Sequence, residues 1–233
     1  MESGEISPQL KQQALAIHQR LLNYYHQPHW SNPAPPLDEL ISTILSQNTN
    51  DKNRDVAFTH LKTNFRTWEA VRDAPVEDIV KAIRSAGLAN QKGPRIQAVL
   101  RQISAERGDL DLDFLRHLPR AEAQAWLQRF KGVGPKTTAI VLLFSLGIPA
   151  FPVDTHIYRV TGRLGLRPAT MTVEATHTLM ELLFPPEAYA PVHLNLIHLG
   201  RELCHPRQPE CPVCPVGDLC KYNMTRGTYG ILE

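Results

Sequence analysis

The sequence predicts an all-α protein of about ten helices, and three observations lead there. Apolar residues recur at spacings of three and four over most of the chain. Proline and glycine fall at the ends of those periodic stretches. No segment sustains the apolar–polar alternation with hairpin turns that strands require.

In chain order, Leu10, Ala14, Ile17 and Leu21 form the apolar face of a first helix. The proline-rich stretch HQPHWSNPAPP (26–36) breaks it off. Leu37, Leu40, Ile41, Ile44 and Leu45 trace a second face. A third helix is predicted from Pro75, with Glu77 and Asp78 in its first turn, to a stop at Gly87. A fourth is predicted from near Pro94, through Ile96, Val99, Leu100 and Ile103, to Gly108. Further helical patterns cover 119–130, 135–146, 155–164, 172–184 and 187–203. A second proline-rich break, GIPAFPVD, spans 147–154. The breaks divide the chain into a central block, 37–149, and two flanks, 1–36 and 150–233, which are free to pack together as a second domain.

Composition excludes some function classes. The balance of apolar and charged residues is that of a globular protein, and no apolar stretch approaches the roughly 20 residues of a membrane helix. The acidic, polar start MESGEISPQLKQQ is unlike a secretion signal, so an aqueous, cytoplasmic location is expected. The formal net charge of +2 is a weak pointer to a polyanion. Locally the bias is stronger: Arg129, Lys131, Lys136, Arg159, Arg163 and Arg167 face a single acid, Asp154, over 129–167. A solvated basic face would have the same composition.

The four cysteines, Cys204, Cys211, Cys214 and Cys220, lie within 17 residues at the spacing C-x6-C-x2-C-x5-C. Inside a cell such a group suits a soft metal ion or an iron–sulfur cluster better than disulfides. Spacing alone leaves structural zinc open. The interleaved Pro206, Pro209, Pro212 and Pro215 hold the loop off helical geometry, as convergence of ligands requires.

Between two helical patterns lies Phe130-Lys-Gly-Val-Gly-Pro-Lys136-Thr-Thr. Gly132 and Gly134 permit a tight turn, and Pro135 suits the first position of the second helix. The amides around Lys131, Gly132, Val133 and Gly134 then offer an anion site that fits a DNA phosphate; a plain interhelical turn is the alternative. Lys136 falls in the first turn of that helix, where the macrodipole and nearby cations disfavour the ammonium form, as a nucleophilic lysine needs; an ordinary solvated surface lysine is the alternative. Asp154, in Pro152-Val-Asp-Thr-His156, stands where a helix cap belongs, a role compatible with acid–base work. His156 reads as structural.

Five stretches together resemble the endonuclease III family of helix–hairpin–helix glycosylases. Leu45-Ser-Gln-Asn-Thr-Asn-Asp51 is similar to the family's LSxQxTD, Gly87-Leu-Ala-Asn90 to GLYN, Gly132-Val-Gly-Pro-Lys-Thr137 to GVGxKT, and Val153-Asp-Thr-His156 to VDTH; the cysteine spacing is similar to its [4Fe-4S] loop. The resemblance implies a six-helix barrel from 37–149, a cluster domain from 1–36 with 150–233, and a DNA cleft between them. It implies duplex DNA as partner, a monomer, and a damaged base flipped from the stack. Lys136 would attack the sugar C1′, and the resulting Schiff base would allow β-elimination on the 3′ side, with oxidised pyrimidines as substrates. Asp154 would deprotonate the lysine or stabilise positive charge on the sugar. Asn48 and Leu88 match positions that fill the gap left by the flipped nucleotide, and Arg207 matches a DNA-facing position of the cysteine loop. Relatives that remove adenine or mismatched thymine usually lack the lysine; a DNA-binding module without chemistry would not need both Lys136 and Asp154. The chain departs from the family at Phe130-Lys131, Gln128, Asn48, Ala89 and Glu210, all positions bearing on damage recognition and DNA grip.

Overall fold

A computed structural model describes residues 6–28 and 33–229, the last four by backbone alone; residues 29–32 of the first proline-rich break lie outside it. The fold is all-α, and no strand occurs among the described residues. Twelve α-helices follow in order: α1 (Pro8–Tyr25), α2 (Pro36–Ser46), α3 (Asp51–Asn64), α4 (Trp68–Asp73), α5 (Val76–Ala82), α6 (Ala89–Arg107), α7 (Arg120–Gln128), α8 (Pro135–Ile140), α9 (Thr155–Leu164), α10 (Val173–Leu183), α11 (Tyr189–Glu202) and α12 (Lys221–Tyr229). They divide into two units, Asn32–Ile148 and Met1–Ser31 with Pro149–Glu233.

In the unit Asn32–Ile148 the core is built on α2, whose Leu37, Leu40, Ile41, Ile44 and Leu45 are all buried, as their spacing predicts. Two helices escape the sequence pattern. α3 buries only Ala57 and Leu61, and α4 is six residues long and buries only Val71, so neither has a full apolar stripe. Each is started by a side-chain cap: Asn50 accepts from the Asn53 amide at 2.8 Å and Thr67 from the Ala70 amide at 3.2 Å.

The predicted start of the fourth helix near Pro94 is corrected to Ala89, with Pro94 inside the helix. Tertiary contacts hold that first turn. Lys92 and Gly93 are buried in it, and a Cβ at Gly93 would meet the Val80 side chain at 2.8 Å, so glycine sets the close crossing of α5 and α6. After Ile140 the helix widens into a π-helical turn over Val141–Ser145, closed by Leu146 N donating to Val141 O at 3.1 Å. Arg116 donates to the Ser145 carbonyl at its end.

In the other unit α1 buries Ala14, Ile17 and Leu21 and packs on α10 and α11. α11 also packs on α9; a Cβ at Gly200 would lie 3.0 Å from the His156 Cβ, so that crossing too depends on glycine. α12, which begins one residue after the last cysteine, packs on α9 and was not marked by any apolar period.

The extended segment before α9 is clasped from three sides. Phe151 N donates to Glu181 Oε1 at 3.0 Å, His177 Nδ1 donates to Phe151 O at 2.8 Å, and His193 Nδ1 donates to Pro152 O at 3.0 Å. Burial holds His177 below the ordinary histidine range. An unfolded histidine protonates near pH 6.5, so below about that pH the unfolded chain binds more protons at this position than the folded one, and stability falls with acidification. His18 shifts in the same direction for the same reason. Replacing His177 with glutamine removes its share: urea unfolding at pH 7.5 and pH 5 should show a smaller acid loss in His177→Gln than in the parent. Equal losses would mean that His177 does not couple to protons in this way.

Candidate active site and metal centre

Within Asn32–Ile148 the hairpin is built as its glycines require. Gly132 adopts φ +86°, and Val133 N donates to Phe130 O at 3.0 Å to close the turn before α8. A Cβ on Gly132 would stand 2.5 Å from Arg95 Cδ and Nε, so only glycine lets the arginine lie against the turn. Gln47 bridges the two: its Nε2 donates to Gly132 O at 2.9 Å, and its Oε1 accepts from Arg95 at 2.9 Å. Lys131 and Gly132 are exposed, Gly134 is half-buried, and Val133 is buried, so Val133 can offer a ligand only its backbone.

Lys136 is half-buried at the second position of α8. α2 packs on α8, and it brings a carboxylate that sequence reasoning missed. Burial pushes Glu39 above the usual carboxylate range, while the Thr43 hydroxyl, which donates to it at 3.3 Å, and the charges of Arg54 and Lys136 pull it down.

Asn48 and Leu88 are both exposed, and both sit at positive φ, +53° and +50°. Leu88 does not pack in the core, because 47% of it faces solvent. α3 is capped by Asn50, not Asn48. A leucine in the left-handed region is strained by about 1–2 kcal/mol, and such strain concentrates where side chains have work outside the core. Lys92, whose ammonium donates to Leu45 O at 2.7 Å and Ala86 O at 2.8 Å, went unnoticed in the sequence. Its one signal was a lysine four residues before Ile96 on the apolar face of α6.

In the other unit Asp154 caps α9, accepting from the Ile157 amide at 2.8 Å through Oδ1. Its second oxygen makes no hydrogen bond among the described residues. The clasp on Phe151 and Pro152 therefore fixes the backbone that delivers this carboxylate. His156 shares its Nδ1 with Arg159 at 3.2 Å, a structural contact.

Cys204, Cys211, Cys214 and Cys220 all line one cavity, together with the apolar Val160, Leu164, Leu199 and Val216. Four thiols around one cavity are a donor set that fits a soft metal ion or an iron–sulfur cluster. Burial pushes the Cys214 and Cys220 thiols up, a cost that a cationic group between them offsets. Arg163 donates to Cys204 Sγ at 3.3 Å and to the His205 and Pro206 carbonyls. From α1, Gln13 donates to Leu219 O at 3.0 Å and Arg20 forms a forked pair with Asp218 at 2.7 and 2.9 Å. Arg207 stands exposed on the loop.

The strain at Leu88 is directly measurable. Glycine carries no penalty at positive φ and serves as an N-cap, the position Leu88 holds for α6. Leu88→Gly should therefore raise the unfolding free energy by about 1 kcal/mol in urea titrations; a loss of stability would mean that the leucine side chain contributes more than its backbone costs.

Residues 41–186 match the model of the HhH-GPD superfamily base excision DNA repair proteins. The chain is 33% identical over 192 residues to Endonuclease III of Thermotoga maritima, covering 82% of this chain and 85% of that one. It is 41% identical over 151 residues to an Arabidopsis thaliana protein named as a DNA glycosylase, of whose length the match spans about half (52%). Among solved structures it is similar to a non-covalent Endonuclease III–DNA complex, with TM-score 0.82 and 27% identity over 94% of this chain and 98% of that one. A trapped Endonuclease III–DNA covalent intermediate matches with TM-score 0.82 and 28% identity over 93% and 98%. The chain thus belongs to the HhH-GPD superfamily of base excision DNA repair proteins, as an Endonuclease III-like DNA glycosylase.

Proposed function

We propose that the protein is a bifunctional glycosylase and abasic-site lyase that removes oxidised pyrimidines from duplex DNA. The observation that carries this reading is Lys136, placed half-buried at the start of α8 directly after the braced hairpin. The helix dipole disfavours the ammonium there, which raises the fraction of neutral amine. That amine attacks C1′ of the damaged nucleotide, the bond to the base breaks, and the base leaves with a proton. Loss of a proton from nitrogen and opening of the sugar ring give a Schiff base; removal of a C2′ proton then expels the 3′ phosphate and cuts the strand. Asp154 serves the same reaction with its second oxygen, accepting the lysine proton or stabilising the cationic sugar. The trapped covalent intermediate of the similar Endonuclease III supports this chemistry.

The amides at Lys131, Gly132 and Gly134 bind a backbone phosphate, with Lys131 adding a charge and Arg207 a further contact from the cysteine loop. Asn48 and Leu88 enter the duplex and fill the space of the extruded nucleotide. Cys204, Cys211, Cys214 and Cys220 hold a [4Fe-4S] cluster, which fixes a loop with little core of its own and supplies a redox-active centre.

Borohydride reduction with a duplex carrying one oxidised thymine tests the whole reading: the parent should form a covalent adduct, and its absence on both this duplex and an abasic duplex would refute it. Lys136→Ala should lose the adduct and strand cutting yet still bind abasic DNA. Asp154→Asn, which preserves the cap, should slow base release by about 10²-fold or more; turnover within a few-fold of the parent would leave Asp154 a cap only.

Purified protein should be yellow-brown, with on the order of four irons and four acid-labile sulfides per chain. Stoichiometric zinc without sulfide in anaerobic preparations would refute the cluster.

Lys131→Ala should weaken binding to damaged and undamaged duplexes alike and flatten the slope of log affinity against log salt by about one unit, without altering lesion preference. Identical slopes would mean that Lys131 touches no phosphate.

A further inference from the structure

Lys92 is only 1% exposed, and its ammonium is spent on two main-chain oxygens, Leu45 O at 2.7 Å and Ala86 O at 2.8 Å. Both belong to residues that end helical segments, where carbonyls lack intrahelical donors. Leu45 lies in the last turn of α2, three residues before Asn48, and Ala86 closes the single 3-10 turn Arg84–Ala86, two residues before Leu88. Beyond each oxygen the chain turns into the left-handed region at an exposed side chain. One buried side chain therefore ties together the stems of two loops that are 40 residues apart in sequence.

We infer that Lys92 is a positioning residue: it locks the Asn48 loop and the Leu88 loop into one rigid, two-pronged wedge. This rests on the gap-filling role proposed for Asn48 and Leu88. Entering a duplex means unstacking it, which costs free energy at each step. Two prongs that move independently would have to be ordered against each other at the moment of insertion, and that ordering would be subtracted from binding. A shared anchor at their stems removes the cost beforehand.

Core packing alone does not account for a lysine here. Burial, and secondarily the charge of Arg95, lower the pKa of Lys92, so the fold works against the ammonium. Methionine matches the length of the stem without desolvating a charge. What methionine lacks is the pair of charge-assisted hydrogen bonds that join the loops.

A double-mutant cycle tests the inference. Single-turnover base release from a duplex with one oxidised thymine is measured for the parent, Lys92→Met, Leu88→Ala and the double variant, alongside urea unfolding. A second readout is the fluorescence of 2-aminopurine placed opposite the lesion, which rises when the base is unstacked. Lys92→Met should slow base release by about 10-fold or more per folded molecule and blunt the fluorescence rise, since small misplacements cost that much. The double variant should fall within about two-fold of the slower single variant, because a wedge without its apolar tip gains nothing from being held. Multiplying losses, or a Lys92→Met protein that is less stable yet equally active per folded molecule, would overturn the positioning role. Should Lys92→Met fail to fold, Lys92→Gln, which keeps amide donors, takes its place in the cycle; failure of both to fold would show that the ammonium supports the unit as a whole and would also overturn it. A parent inactive on this duplex but active on another lesion would refute the oxidised-pyrimidine assignment alone, and the cycle is then read on that lesion.

Discussion

A buried ammonium with two carbonyl partners sets the geometry of the unit Asn32–Ile148. Helices satisfy their own amides and carbonyls everywhere except at their ends. In this unit the ends of α2 and of the turn before α6 point their carbonyls inward, where water does not reach. Lys92 is the donor that makes this tolerable, and with it the first turn of α6, the bend at Gly87 and the left-handed residues beyond become stable. The Gln47 side chain then extends the same logic to the hairpin, taking the Gly132 carbonyl in one direction and the Arg95 guanidinium in the other. Helix ends and the irregular backbone beside them carry the residues proposed for chemistry, and a few polar side chains hold that backbone still.

The other unit solves the same problem with different residues. The segment ahead of α9 has no intrahelical bonds of its own, so Glu181 and His177 from α10 and His193 from α11 bond it laterally, and Asp154 arrives at the helix start with one oxygen on the cap. The cysteine loop is likewise stapled from outside. Arg163 binds a sulfur and two carbonyls, while Gln13 and Arg20 reach it from α1. Glycine enables two of these approaches, at Gly132 beneath Arg95 and at Gly200 beneath His156.

Much of this was legible in the residues. Periodicity is a local property, and it located α1, α2 and the helices from α7 to α11, together with the buried faces of α1 and α2. The hairpin, the Asp154 cap and the cysteine group were legible because their residue types answer local needs: positive φ, an orphan amide, a soft metal. What escaped was tertiary. α3 and α4 bury too little to show a stripe. The start of α6 was misplaced because Pro94 is a strong local signal, while the contacts that outweigh it, through Lys92 and Gly93, come from α2, α5 and the turn before the helix. Gln47 and Arg95 bond partners dozens of positions away, as Lys92 does at Leu45, and apart from the place of Lys92 on the apolar face of α6 little in their immediate neighbours distinguishes these residues from surface ones.

The ties from α1 to the cysteine loop have a consequence for how the chain is made. Gln13 and Leu219 are separated by 206 residues. At ribosomal speeds of about 5–20 residues per second, the first helix exists for roughly 10–40 seconds before its partner is synthesised. Residues 32–148, by contrast, form a continuous stretch that can close as soon as it emerges. During translation, therefore, α1 waits with the apolar face of Ala14, Ile17 and Leu21 uncovered until α10 and α11 emerge, and its polar ties to the cysteine loop form only after that.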